Sequence, residues 1–310
     1  MELFWFLLLK LIPLYTTIVM GFVAGRFLKI ETESVAKLVF FMIAPLVVFN
    51  GVARLPITLP LLGLPILVFV LSSIMSLIFY RVGGWAFKDS SRNLLSMAAG
   101  TGNTGYFGLP LAMMLFDERG VGIYIIAFTG MNLFEVTVGY YIASLGASEE
   151  KPSLMEAGKK ILKLPMFYGV LLGIAFSFSG LKIPPIMDDF MAACKGSYSI
   201  LGMMIIGLGL AKMQKLSFDW RFVGLAHSAK FIIWPALAYI TVLLDRELLH
   251  IFDEAAHKSL LLISIVPMAA NTVLIATLLR LKPEKAATTV VTGTIIALIY
   301  VPLMAALLIK

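Results

Sequence analysis

The sequence holds one cysteine in 310 residues, Cys194, so no disulfide can close within the chain and no cysteine cluster can hold a metal. Histidine is nearly as scarce. His227, His250 and His257 stand apart, with no His-Glu-x-x-His pair and no Asp-rich diphosphate motif, which removes the usual constellations of an intramembrane enzyme. Charge is scarce too. Charged residues make up 14% and hydrophobic ones 60%, against roughly 25% and 45–50% in soluble domains. Such a chain cannot cover a globule with polar surface, and it takes lipid as its solvent. No polar stretch is long enough for a soluble output domain, which argues against a sensor or receptor.

What the chain does have is apolar runs of about 20 residues, the length that crosses a bilayer as a helix. Ten spans are predicted, at 5–28, 33–53, 58–82, 91–116, 120–145, 159–179, 186–213, 222–244, 256–280 and 285–309. The first is read as a mature span and not a signal peptide, because no basic start precedes it, Lys10 lies inside it and no small-residue cleavage site follows. A short linker, 148–158, separates residues 1–147 from 159–310. The net charge of +7 is read as a topology signal in loops and not as a nucleic-acid patch. Fifteen Lys and Arg collect on one side, among them Arg26, Lys88, Arg92, Lys151, Lys159, Lys160, Lys163, Lys215 and Lys285; eight, including Arg54, Arg119 and Arg246, fall on the other. The richer side is expected in the cytoplasm. Both termini, and the acidic cluster Asp245, Glu247, Asp253 and Glu254, then face outward from an inner (plasma) membrane.

The chain also resembles itself. Ser91, Leu94, Ser96, Asn103 and Thr104 in the fourth span match Ser259, Leu262, Ser264, Asn271 and Thr272 in the ninth at one constant offset. The first and sixth spans agree more loosely, Lys10-Leu-Ile-Pro13 against Lys163-Leu-Pro165, with Gly21 against Gly173. Five helices per half is an odd number, so the second half enters the membrane inverted, a construction found in secondary transporters.

The matching spans are also the interrupted ones. Ala99-Gly-Thr-Gly-Asn-Thr-Gly105, followed by Gly108 and Pro110, argues against a continuous fourth helix; Pro267 precedes Asn271 and Thr272 in the ninth. Unwound backbone survives at membrane depth only when it is buried in protein or lines a cavity. Paired interruptions at corresponding places in two halves point to a binding site. A helix that restarts in mid-membrane presents N–H groups and the positive end of its dipole, which suit an anion. Thr101, Gly102, Asn103, Thr104, Pro267, Asn271 and Thr272 are therefore the candidate substrate residues, and Asn50, after Pro45, joins them as a cavity-lining candidate. The packing alternative is a Gly-rich helix contact.

Isolated intramembrane charges are costly and often functional. Glu135, beside Asn132, is a candidate for carrying a coupling proton, or else a structural carboxyl bonded to a neighbouring helix. Lys230 is read either as snorkelling toward the cytoplasm or as a substrate or carboxylate partner. Asp188 and Asp189 open the seventh span, an ordinary place for acidic residues. No metal site or bound cofactor is expected; a coupling ion, proton or sodium, is.

Gly102-Asn-Thr-Gly-Tyr-Phe-Gly-Leu-Pro110-Leu-Ala, Leu115-Phe-Asp-Glu-Arg-Gly120 and Val266-Pro-Met-Ala-Ala-Asn-Thr-Val273 resemble the auxin efflux carrier family, which includes bacterial permeases and the plant PIN proteins. The likeness runs over essentially the whole chain. It implies ten helices in two inverted repeats, a scaffold and a transport subdomain, fourth and ninth helices crossing in an X, and an organic-anion substrate such as malonate, malate or auxin. A homodimer is a family-level expectation. Plant PIN proteins have proline at both crossings; here Pro267 matches the second and Gly102 stands at the first. The chain also lacks the long cytoplasmic domain of many plant members, so it resembles the compact bacterial permeases. Sodium/proton antiporters and bile-acid symporters are the alternatives within transporters. An antiporter would want paired carboxylates where this crossing carries Asn and Thr.

Overall fold

The computed structural model describes residues 2–147, 162, 164–212 and 218–309. The linker 148–158, with Lys151, and the basic residues Lys159, Lys160, Lys163 and Lys215 lie outside the described residues. Within them every regular element is helical.

Among the described residues, seven helices are long and apolar enough to cross a bilayer. They are α1 (Glu2–Phe27), α2 (Thr32–Ala53), α3 (Leu59–Ala86), α6 (Glu118–Ser144), α8 (Asp188–Ala211), α9 (Trp220–Leu249) and α12 (Pro283–Leu308). The fourth expected span is divided into α4 (Ser91–Gly100) and α5, a π turn at Thr104–Gly108 running into Leu109–Leu115. The ninth is divided into α10 (Glu254–Ile265) and α11 (Asn271–Leu278). In place of the sixth, the described part is α7 (Pro165–Phe178). The eighth continues past its expected end through a π turn at Asp245–Leu249.

Glycine sets the closest packing. A Cβ on Gly21 of α1 would run into the backbone of Met204 in α8, and one on Gly207 would run into that of Ile18. The α1–α8 contact is the most extensive in the molecule, and small residues that let backbones approach are what membrane helices use where the hydrophobic effect is absent. Helices α2 and α7 form a second tight pair, while α3 packs on α4 and α6, and α12 covers α9, α10 and α11. The outer surface is apolar: Leu59, Trp85, Ile186, Phe27 and Ile66 are all widely exposed, as suits lipid contact.

Ion pairs sort by face. Arg54–Asp188, Arg119–Asp253, Lys195–Glu118 and Arg246–Glu254 each join residues expected outside. Lys285 binds Asp219 at 2.7 Å and Ser91 Oγ at 2.8 Å, tying together three helix starts expected on the cytoplasmic side.

Candidate functional site

Both helix breaks reach the same buried place. The Asn103 N–H donates to the Pro267 carbonyl at 2.8 Å, so one unwound backbone satisfies the other. Two residues away the hydroxyls of Thr101 and Thr272 share a hydrogen bond at 3.3 Å. Other backbone groups freed at the breaks have partners as well. Trp234 Nε1–H donates to the Ala99 carbonyl at 2.8 Å and the Tyr124 hydroxyl to that of Thr104 at 3.0 Å. Asn103 Oδ1 accepts from the Phe107 N–H at 3.3 Å and so caps α5. This accounting is what permits irregular backbone at membrane depth.

Each sequence candidate has a definite place. Thr101, Gly102, Asn103, Thr104, Pro267 and Thr272 are assembled at the meeting of the breaks, and Thr101, Asn103, Thr104 and Thr272 are buried. Asn271 opens α11 and turns its amide to Glu135, donating Nδ2–H to Oε1 at 2.9 Å. The two asparagine side chains make separate bonds: Asn103 spends its oxygen on its own helix, and Asn271 spends a donor on α6. Asn50 is buried and accepts at 3.1 Å from Nε of Arg54, which also pairs with Asp188, while the Asn50 Nδ2 has no partner. Asn132 lines a cleft between α2, α6 and α7 with Val48, Phe128 and Phe167.

Lys230 corrects the snorkelling expectation. Its side chain is 0% exposed, and its Nζ has no hydrogen-bond partner. The ammonium lies 5.3 Å from the centre of the Trp234 ring. It fills the space left by the missing side chain of Gly102, where a Cβ would stand 2.9 Å from Nζ. Local structure explains the direction: Lys230 lies in a π turn, Ala229–Ile233, and the extra residue in that turn re-aims the side chains around it. Glu135 likewise opens a π turn, Glu135–Gly139, and is 7% exposed. Both intramembrane charges thus sit on π turns and reach residues of the two breaks.

Sequence reasoning missed Trp234 and Tyr124. Aromatic residues inside apolar spans give no local signal, and only their donors, each aimed at a carbonyl beside a break, reveal the role. Among the described residues no group of three or more His, Cys, Asp or Glu could hold a metal ion.

A family described as membrane transport protein matches residues 6–305. The chain belongs to this family, the auxin efflux carriers. An uncharacterized transporter of Methanocaldococcus jannaschii is 28% identical over 253 residues, covering 79% of this chain and 78% of its own. A putative malonate transporter of Rhizobium meliloti is 22% identical over 304 residues, covering 92% and 91%. The protein is thus a multi-pass membrane transporter and not an enzyme.

Proposed function

We propose that the protein is a secondary transporter that carries small organic anions, mono- or dicarboxylates of the malonate or malate type, by alternating access at the meeting of its two broken helices. The observation that carries this reading is the Asn103 N–H to Pro267 carbonyl bond with the Thr101–Thr272 hydroxyl pair beside it. It puts interrupted backbone from both halves of the chain at one buried polar point, where a partly dehydrated anion can exchange water for protein donors. The malonate assignment of the Rhizobium meliloti relative supports the substrate class.

The same proposal includes ten spans in two inverted repeats, 1–147 and 159–310, with both termini outside the inner membrane. A proton or sodium ion couples the cycle, and two copies of the chain form a homodimer. Uptake of labelled acetate, malonate and malate into proteoliposomes, with and without a proton or sodium gradient, tests the function. At least one carboxylate accumulates in a protein-dependent way; no uptake of any carboxylate under any gradient would contradict it.

A further inference from the structure

We infer that Lys230 is the fixed cation of the crossing and receives one carboxylate of the transported anion, with Gly102 as the residue that makes room for it. The inference rests on the reading of the crossing as a substrate site and goes beyond it by assigning the charge that recognises the substrate.

Three observations carry it. Lys230 is fully buried with no hydrogen-bond partner. The atoms nearest the vacant side-chain position of Gly102 are Lys230 Nζ at 2.9 Å, Met131 Sδ at 3.2 Å and Val266 Cγ2 at 3.2 Å, so the amine packs directly against the first break beside otherwise apolar side chains. Trp234, whose ring face lies near the ammonium, also bonds the Ala99 carbonyl, which fixes the amine relative to the end of α4.

A buried ammonium without a counter-ion is among the most unfavourable arrangements a membrane interior can contain. The other charge near the breaks, Glu135, holds Asn271 and forms no ion pair with Lys230 among the described residues. A substrate carboxylate supplies both missing terms at once, a countercharge and an acceptor, in a charge-assisted hydrogen bond stronger than a neutral one. Thr101, which precedes Gly102 in the chain, shares a hydrogen bond with the Thr272 hydroxyl, and a hydroxyl can donate to a second carboxylate oxygen.

Thermal unfolding of the detergent-solubilised full chain tests this, with sodium acetate, malonate and malate as probes and malonamide as the uncharged control. The parent is stabilised by at least one carboxylate and not by malonamide. Lys230→Met, similar in length and uncharged, unfolds at or above the parental temperature without anion and binds the same carboxylate about tenfold to a hundredfold more weakly. Gly102→Ala, whose new methyl has Lys230 Nζ, Met131 Sδ and Val266 Cγ2 as its nearest neighbours, all side-chain atoms, keeps its fold and also binds more weakly. If Lys230→Met binds the carboxylate with parental affinity, or unfolds well below the parent, Lys230 is structural and the inference fails while the crossing remains the site. If the parent itself responds to no carboxylate, the crossing reading fails with it.

Discussion

Glu135 and Lys230 are the two charges that hydrophobicity should have removed from the membrane interior, and the structure uses them differently. Glu135 has a donor in Asn271, and Lys230 has none. If Glu135 exchanges the coupling proton, Glu135→Gln keeps the oxygen that Asn271 donates to and removes only the titration. Uptake in that variant should lose its dependence on a proton gradient, while its thermal midpoint stays at or above that of the parent, because an uncompensated buried charge is removed. Unchanged pH dependence in Glu135→Gln would leave Glu135 with only the structural bond. At this scale the sequence makes Glu135 conspicuous, a lone carboxyl in an apolar run. It leaves Lys230 open, since a long flexible stem reaches either a membrane surface or a buried site; the π turn that decides between them has no sequence signature.

Among the elements, the breaks in the fourth and ninth spans are legible from Gly100, Gly102, Gly105 and Pro267, because residues that cannot sustain a helix announce its interruption. The bonds that make the breaks tolerable are not, since Trp234 and Tyr124 belong to other helices and look like ordinary span residues. Tryptophan shows the contrast. Trp5, Trp85 and Trp220 are exposed near helix ends, where aromatic rings anchor at the membrane interface, and Trp234 alone is wholly buried. Helix starts are equally specific. Asp219 caps α9 by accepting from the Arg221 and Phe222 N–H groups, and pairs with Lys285. The hydrogen bond from the Lys285 ammonium holds the Asp219 carboxyl below the usual carboxylate range. A carboxyl lowered in this way contributes stability above its ordinary value, about 4, and loses it as pH falls through the lower folded value. Asp219→Ala should cost about 1 kcal/mol through the lost cap and lower the thermal midpoint. Asp219→Asn should cost less, with a gap to the parent that is constant from pH 5 to 8 and narrows below about pH 4. A gap that widened toward acid would contradict the pairing.

For the whole molecule, the distribution of Lys and Arg divides the loops into two faces, and the ion pairs respect that division, with Lys285–Asp219 on one face and Arg119–Asp253 and Arg54–Asp188 on the other. With Cys194 replaced by serine, a cysteine at His250 should be labelled in intact cells by an impermeant maleimide, and one at Lys88 only after permeabilisation. The reverse pattern would invert the proposed orientation. The helical, lipid-facing character of the chain is legible because composition alone demands it. The repeat is legible at the breaks, where Ser, Asn and Thr recur at a fixed offset, and faint elsewhere, because lipid-facing helices accept any apolar residue and keep little record of position.

The central claim is that an organic anion binds where the two breaks meet, and Asn271, which restarts the ninth span after its break and has a second amide N–H beside the one given to Glu135, tests it most directly. The measurement is the affinity of the purified transporter for the carboxylate it carries best, in Asn271→Ala and, as a control remote from the breaks, in Asp219→Asn. A hydrogen bond to a charged group contributes roughly 1.5–3 kcal/mol, so loss of the Asn271 amide should weaken binding about tenfold to a hundredfold. Asp219→Asn should bind as the parent does. Parental affinity in Asn271→Ala would mean that the meeting of the breaks is a packing contact and that the anion binds elsewhere.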